Sequence, residues 1–113
     1  MENEGKYHEA LIAYIESSAL LPGHYDLRKS IGKIYRLLGD NEKSIEMFKQ
    51  LLLPTPRSGE LNLEIAKSYY AGGYMKKALE HLETTLEVWK NADATYIPVI
   101  KAREKWTEWN QIN

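Results

Sequence analysis

One feature constrains the fold of this sequence more than any other. Displaced by 34 residues, the chain falls into register with itself. Gly5, Gly39 and Gly73 coincide, as do the small residues Ala10, Ser44 and Ala78. Leu11, Ile45 and Leu79 form an aliphatic set, and Tyr14, Phe48 and Leu82 a bulky one. Pro22 matches Pro56. Upstream of the glycine, Leu27 matches Leu61, Ile31 matches Ile65, Gly32 matches Ala66, Lys33 matches Lys67 and Tyr35 matches Tyr69. Unrelated helices would not hold one register over so many positions, whereas a stacked repeat requires it.

Within each unit the apolar spacing is helical. Leu27, Ile31, Ile34, Tyr35 and Leu38 share one face. Gly39-Asp40 ends that helix, since glycine can take the left-handed C-terminal conformation, and Asn41 is the expected N-cap of the next. Ile45, Phe48, Leu51 and Leu52 form its stripe, which Pro54 and Pro56 terminate. The plan recurs with Leu61, Ile65, Ala66 and Tyr69, then Gly72-Gly73, then Ala78, Leu79, Leu82 and Leu86. The spacing predicts six helices: Lys6–Leu20, Tyr25–Leu38, Asn41–Leu53, Gly59–Ala71, Met75–Trp89 and Thr95–Gln111. Pro98 falls in the first turn of the last one. No segment reads as a strand, and short connections make consecutive helices antiparallel neighbours.

This pattern resembles the tetratricopeptide repeat, a family that pairs two antiparallel helices in 34 residues. Residues 25–58 carry the resemblance through Ile31-Gly32, Tyr35, Gly39, Ser44, Phe48 and Pro56. Residues 59–92 carry it through Ile65-Ala66, Tyr69, Gly73, Ala78 and Leu82, with Lys90 in place of the proline. Residues 5–24 match only the second half of a repeat, and Arg28 and Asn62 stand at the family's tryptophan positions. The resemblance implies an all-α, right-handed α-solenoid, here a single domain over 1–113. It would comprise half a repeat, two full repeats and a capping helix over 93–113. Trp89, Trp106 and Trp109 read as packing residues of that cap.

The first unit lacks its first helix, so the helix from Lys6 should expose Leu11, Ile15 and their neighbours. Two accounts compete: a segment cut from a longer protein, or a short chain that associates with itself through this face. No stretch approaches the apolar length of a transmembrane helix, and the first residues carry no signal-peptide pattern. A cytoplasmic protein without membrane partners is the expectation.

In this family the first helix of each pair lines a concave surface. The positions beside the packed face are Lys29, Lys33 and Arg36, then Leu63, Lys67 and Tyr70 one repeat later, then Ile97, Lys101 and Glu104. A ladder of Lys33, Lys67 and Lys101 with apolar flanks suits a peptide or protein partner carrying acidic groups. The competing reading is that these lysines are solvated. The carboxylate clamp for chaperone tails is not expected, because Ser30 occupies the asparagine place and Glu60 and Glu64 replace basic residues.

Chemistry is not expected. The chain has no cysteine and three histidines, His8, His24 and His81, none at metal-ligand spacing. Ser58-Gly59 and Gly72-Gly73 follow no strand and so are turns, not phosphate loops. No cofactor is implied. Fifteen Lys and Arg against 16 Asp and Glu give a net charge of −1, and Glu60, Glu64 and Glu104 interrupt the ladder, which argues against nucleic acid. The expected function is a protein–protein interaction scaffold. Alternatives are a regulatory docking domain of a larger enzyme or sensor, and a self-assembly module working through the N-terminal helix. The register itself can be tested: Ala78→Leu should overpack a helix pair and cost about 1–3 kcal/mol. An unchanged melting temperature would count against the alignment.

Overall fold

Two glycines with left-handed backbone set the frame. Gly39 has φ 85° and Gly73 φ 86°. Each lies one residue beyond a helix cap of nearly identical geometry, Leu38 at φ −83°, ψ −2° and Gly72 at φ −84°, ψ −1°. The hydrogen bonds match as well. Gly39 N–H donates to Arg36 C=O and Asp40 N–H to Tyr35 C=O, and Gly73 and Tyr74 donate to Tyr70 and Tyr69 in the same way. This is the Schellman closure, which uses two of the carbonyls a helix end leaves unpaired. The residues that open the first helix of each unit also agree, His24 at φ −67°, ψ 111° and Ser58 at φ −62°, ψ 115°. The backbone thus repeats at the period read from the side chains.

The computed structural model describes residues 2–20, 24–92 and 95–112, with side chains over 5–20, 24–92 and 95–111. Among them are six helices and no strand: α1 (Glu2–Leu20), α2 (Tyr25–Leu37), α3 (Asn41–Leu52), α4 (Gly59–Ala71), α5 (Met75–Val88) and α6 (Ile97–Ile112). Each packs against the next along the chain, and α2 also touches α4. Pro22, Asp93, Ala94 and the side chain of Ile112 lie outside what is described.

Three details correct the sequence reading. First, α1 runs from Glu2 straight through Gly5, where a turn glycine was expected. Gly5 has nothing within 4 Å of a notional Cβ. Second, Asp40 caps α3, accepting from Lys43 N–H at 3.3 Å, while Asn41 becomes the first helical residue. A carboxylate is the stronger acceptor at the positive end of a helix. Asn41 Oδ1 is left buried with no hydrogen-bond partner. Third, α6 begins at Ile97 and not Thr95; Tyr96 C=O receives the Val99 and Ile100 N–H groups, and Pro98 occupies the second helical position.

The core is built by pairing small residues with large ones. Phe48 is fully buried because Gly32 leaves room for its ring: a Cβ on Gly32 would lie 2.8 Å from Phe48 Cζ. Ser44, Ala66 and Ala78 are fully buried where helices meet, beside Leu61, Ile65 and Leu82. α4 is the most enclosed element, with buried residues all around it. Gly32→Ala should therefore cost about 1–3 kcal/mol by overpacking. Adding Phe48→Leu should recover part of that loss, so a double-mutant cycle in urea should show coupling between the two sites.

Candidate functional site

The clearest site begins at Gly59, the first residue of α4. A Cβ there would meet Trp89 Nε1 at 2.5 Å, so only glycine lets the indole settle on the helix start. Thr85 Oγ1 donates to Gly59 C=O at 2.9 Å and holds the end of α5 in place. The chain then turns, and Tyr96 meets Trp89 edge-on with ring centroids 6.0 Å apart. Ile97, Pro98, Lys101 and Lys105 follow along α6, opposite Glu60, Leu63, Glu64 and Lys67 of α4. Together they enclose a cleft of about 390 Å³ with an aromatic end wall and lysines along its edge.

Four of the residues expected to share a groove meet here: Leu63, Lys67, Ile97 and Lys101. Ile97 is 62% exposed and Leu63 6%, so the first offers contact surface and the second a floor. Lys29, Lys33, Arg36, Tyr70 and Glu104 do not line the cleft. Lys29 donates to Glu60, which raises its pKa above the ordinary lysine value. Arg36 reaches across to α4, donating to Glu64 Oε2 at 3.1 Å and to Glu64 C=O and Ser68 Oγ at 3.2 Å. Tyr70 is stacked on Trp109, centroids 4.4 Å apart and planes 9° from parallel, so its face is taken up in packing α6. Lys33 is half-buried on α2 and has no ion pair among the described residues.

The acidic residues that interrupt the ladder in the sequence therefore have a structural use. Glu64 is 5% exposed and accepts from both Arg36 and, at 3.3 Å, Lys67. A carboxylate this buried needs such partners. Lys101 and Lys105 have no carboxylate within 4 Å among the described residues. The free positive charge is concentrated at the α6 side of the cleft. Trp89, Tyr96, Pro98 and Lys105 were missed as site residues by the sequence reading. The available signal was Gly59, whose lack of a side chain implies a large neighbour.

The remaining singled-out residues have structural partners. His24 Nδ1 accepts from Leu27 N–H at 3.3 Å and caps α2. Asn62, at the family's tryptophan position, donates to Pro56 and Ser58 carbonyls, which turns its Oδ1 toward His81 Nδ1 at 2.9 Å. His81 is then the donor, and its ring stacks on Tyr69 with centroids 5.6 Å apart. Trp109 is 3% exposed, in the packing role expected of it. Among the described residues no group of His, Asp and Glu is placed to hold a metal, and no helix is long and apolar enough to cross a membrane.

The structure defines a class: an all-helical protein with a repeated helix pair and an open, lysine-edged cleft. No family model matches the chain. Over 56 residues it is 39% identical to a BBSome complex member, BBS4 of Bos taurus, a match covering 50% of this chain. The match takes in 11% of that protein, so the chain corresponds to a small part of its relative.

Burial, reinforced by Lys49, lowers the pKa of His81 below the ordinary 6.5. As pH falls, the unfolded chain takes up this proton before the folded one does. The contribution of neutral His81 is therefore intact above about pH 6.5 and is lost progressively below it. His81→Gln keeps a donor for Asn62 but cannot titrate. Its urea midpoint should fall less steeply than that of the wild type between about pH 7 and 5.

Proposed function

We propose that this chain is a protein–protein interaction scaffold of tetratricopeptide type, which receives an acidic peptide segment of a partner in the cleft between α4 and α6. The observation that carries the reading is the cleft's pairing of an apolar wall, Leu63, Trp89, Tyr96 and Ile97, with the uncompensated Lys101 and Lys105. Apolar anchors would supply contact area and the lysines orientation and encounter rate. Of the ladder, Lys67 and Lys101 belong to this surface, whereas Lys29 and Arg36 serve the α2–α4 contact.

The solenoid reading is supported by the repeated cap geometry and by packing that runs mainly between chain neighbours. In this reading residues 25–58 and 59–92 are full repeats, 5–24 is the second half of one, and 93–113 is the closing helix. The relative is named as a member of a protein complex, which favours protein partners here too. The chain would perform no chemistry of its own, use no cofactor and act in the cytoplasm.

The test is Lys101→Glu with Lys105→Glu. Lys101 is exposed and Lys105 half-buried at the cleft edge, so far-UV circular dichroism should be unchanged. Affinity for fluorescein-labelled acidic peptides containing a leucine or aromatic residue should fall at least about tenfold, the scale of losing interfacial charge contacts. Wild-type binding should also weaken as salt is raised. Equal affinity of variant and wild type would place the partner site elsewhere.

A further inference from the structure

A second open surface lies between α3 and α5, lined chiefly by residues outside the groove-facing helices. It is a furrow of about 510 Å³ whose walls include Glu42, Ile45, Glu46 and Lys49 of α3, Leu53 just beyond its end, and Tyr74 and Lys77 at the start of α5. Tyr69 of α4 forms its floor. Leu53 is 80% exposed and Tyr74 51%. Lys49 and Lys77 both hold their ammonium groups near one ring, 5.4 and 5.6 Å from the centroid of Tyr69. Neither has a carboxylate within 4 Å among the described residues. Two like charges are thus gathered over the Tyr69 ring without a directly paired carboxylate, while Glu42 and Glu46 line the α3 side of the furrow.

The same chain carries a surface of complementary character. α1 leaves Ile12, Ile15 and Leu20 exposed, with Glu16 beside them. On a helix these positions share one face. Glu16 has no ion pair among the described residues. The two surfaces also share a spacing. Ile12, Glu16 and Leu20 repeat at i, i+4, i+8, and so do Ile45, Lys49 and Leu53. With the helices parallel and Glu16 beside Lys49, Ile12 falls beside Ile45 and Leu20 beside Leu53. The like-charge meeting of Glu9 with Glu42 falls one end away, where Lys6 lies a turn from Glu9. α3 spans 12 residues, about 18 Å, which the exposed stretch of α1 is long enough to cover.

We propose that the furrow between α3 and α5 is the receptor for α1 of a second copy of this chain, with Glu16 seated between Lys49 and Lys77. The contact joins two different surfaces. Each added copy still presents a free α1 face and a free furrow, so association is open-ended unless the rotation between copies closes a ring. This surface is separate from the α4–α6 cleft, and its test does not depend on peptide binding there.

Sedimentation of the 13.1 kDa chain should show a mass that rises with concentration beyond that of a dimer. Lys49→Glu with Lys77→Glu should give a monomer, and so should Ile12→Gln with Ile15→Gln; all four positions are exposed, so helicity should persist. Mixed, these two variants should form a dimer of twice the monomer mass and go no further, because one retains a working α1 face and the other a working furrow. If either fails to fold, the charge-swapped chain with Glu16→Lys, Lys49→Glu and Lys77→Glu decides the matter by associating like the wild type. A wild type that stays monomeric at every concentration would overturn the proposal. So would variants that still associate, or a mixture that stays at monomer mass.

Discussion

Glu64 sits in the middle of α4 almost wholly withdrawn from water, and much else follows from keeping it charged there. An isolated buried carboxylate would be costly, and removing a partner from a buried pair typically loses about 3–5 kcal/mol. Arg36 supplies the partner from α2, and in doing so it ties the first helix of one unit to the first helix of the next. The same guanidinium reaches Ser68, whose hydroxyl lies 2.7 Å from that of Ser44 on α3. Three helices are joined by one polar cluster within an otherwise apolar stack. Asn62 does similar work toward α5, holding His81 and the Pro56–Ser58 turn together. α4 can be buried on all sides because each of its enclosed polar side chains finds a partner.

That arrangement also decides where a ligand could bind. The basic ladder expected across the first helices is not one surface. Lys29 and Arg36 are drawn into pairs with Glu60 and Glu64, and Lys67 also reaches Glu64, whereas Lys33 on α2 and Lys101 and Lys105 on α6 have no ion pair among the described residues. Structural ion pairing and recognition compete for the same residue types, and burial decides between them. Lys29 and Arg36 face carboxylates across a closed contact, whereas Lys101 and Lys105 face an open cleft.

Much of the fold was legible because it depends on local rules. The helix positions and the left-handed glycines can be read from spacing and residue type. The misreadings are local conflicts settled by competition. Asp40 displaced Asn41 as a cap because a charged acceptor binds a helix start more strongly. Gly5 matched the turn glycines by position, yet it lies inside α1.

By itself, then, the sequence determined the repeat, the number and order of helices and the absence of metal-type residue spacing, all properties of short segments. Only the tertiary structure decided which lysines are neutralised, that Trp89 and Tyr96 close one end of a cleft, and that apolar side chains of the α3–α5 furrow remain open. Those outcomes depend on residues about one repeat or more apart, such as Arg36 with Glu64 and Gly59 with Trp89. Periodicity brings such residues to neighbouring helices. The distance between their atoms is set by how closely the helices pack, and that is fixed only when the core is filled.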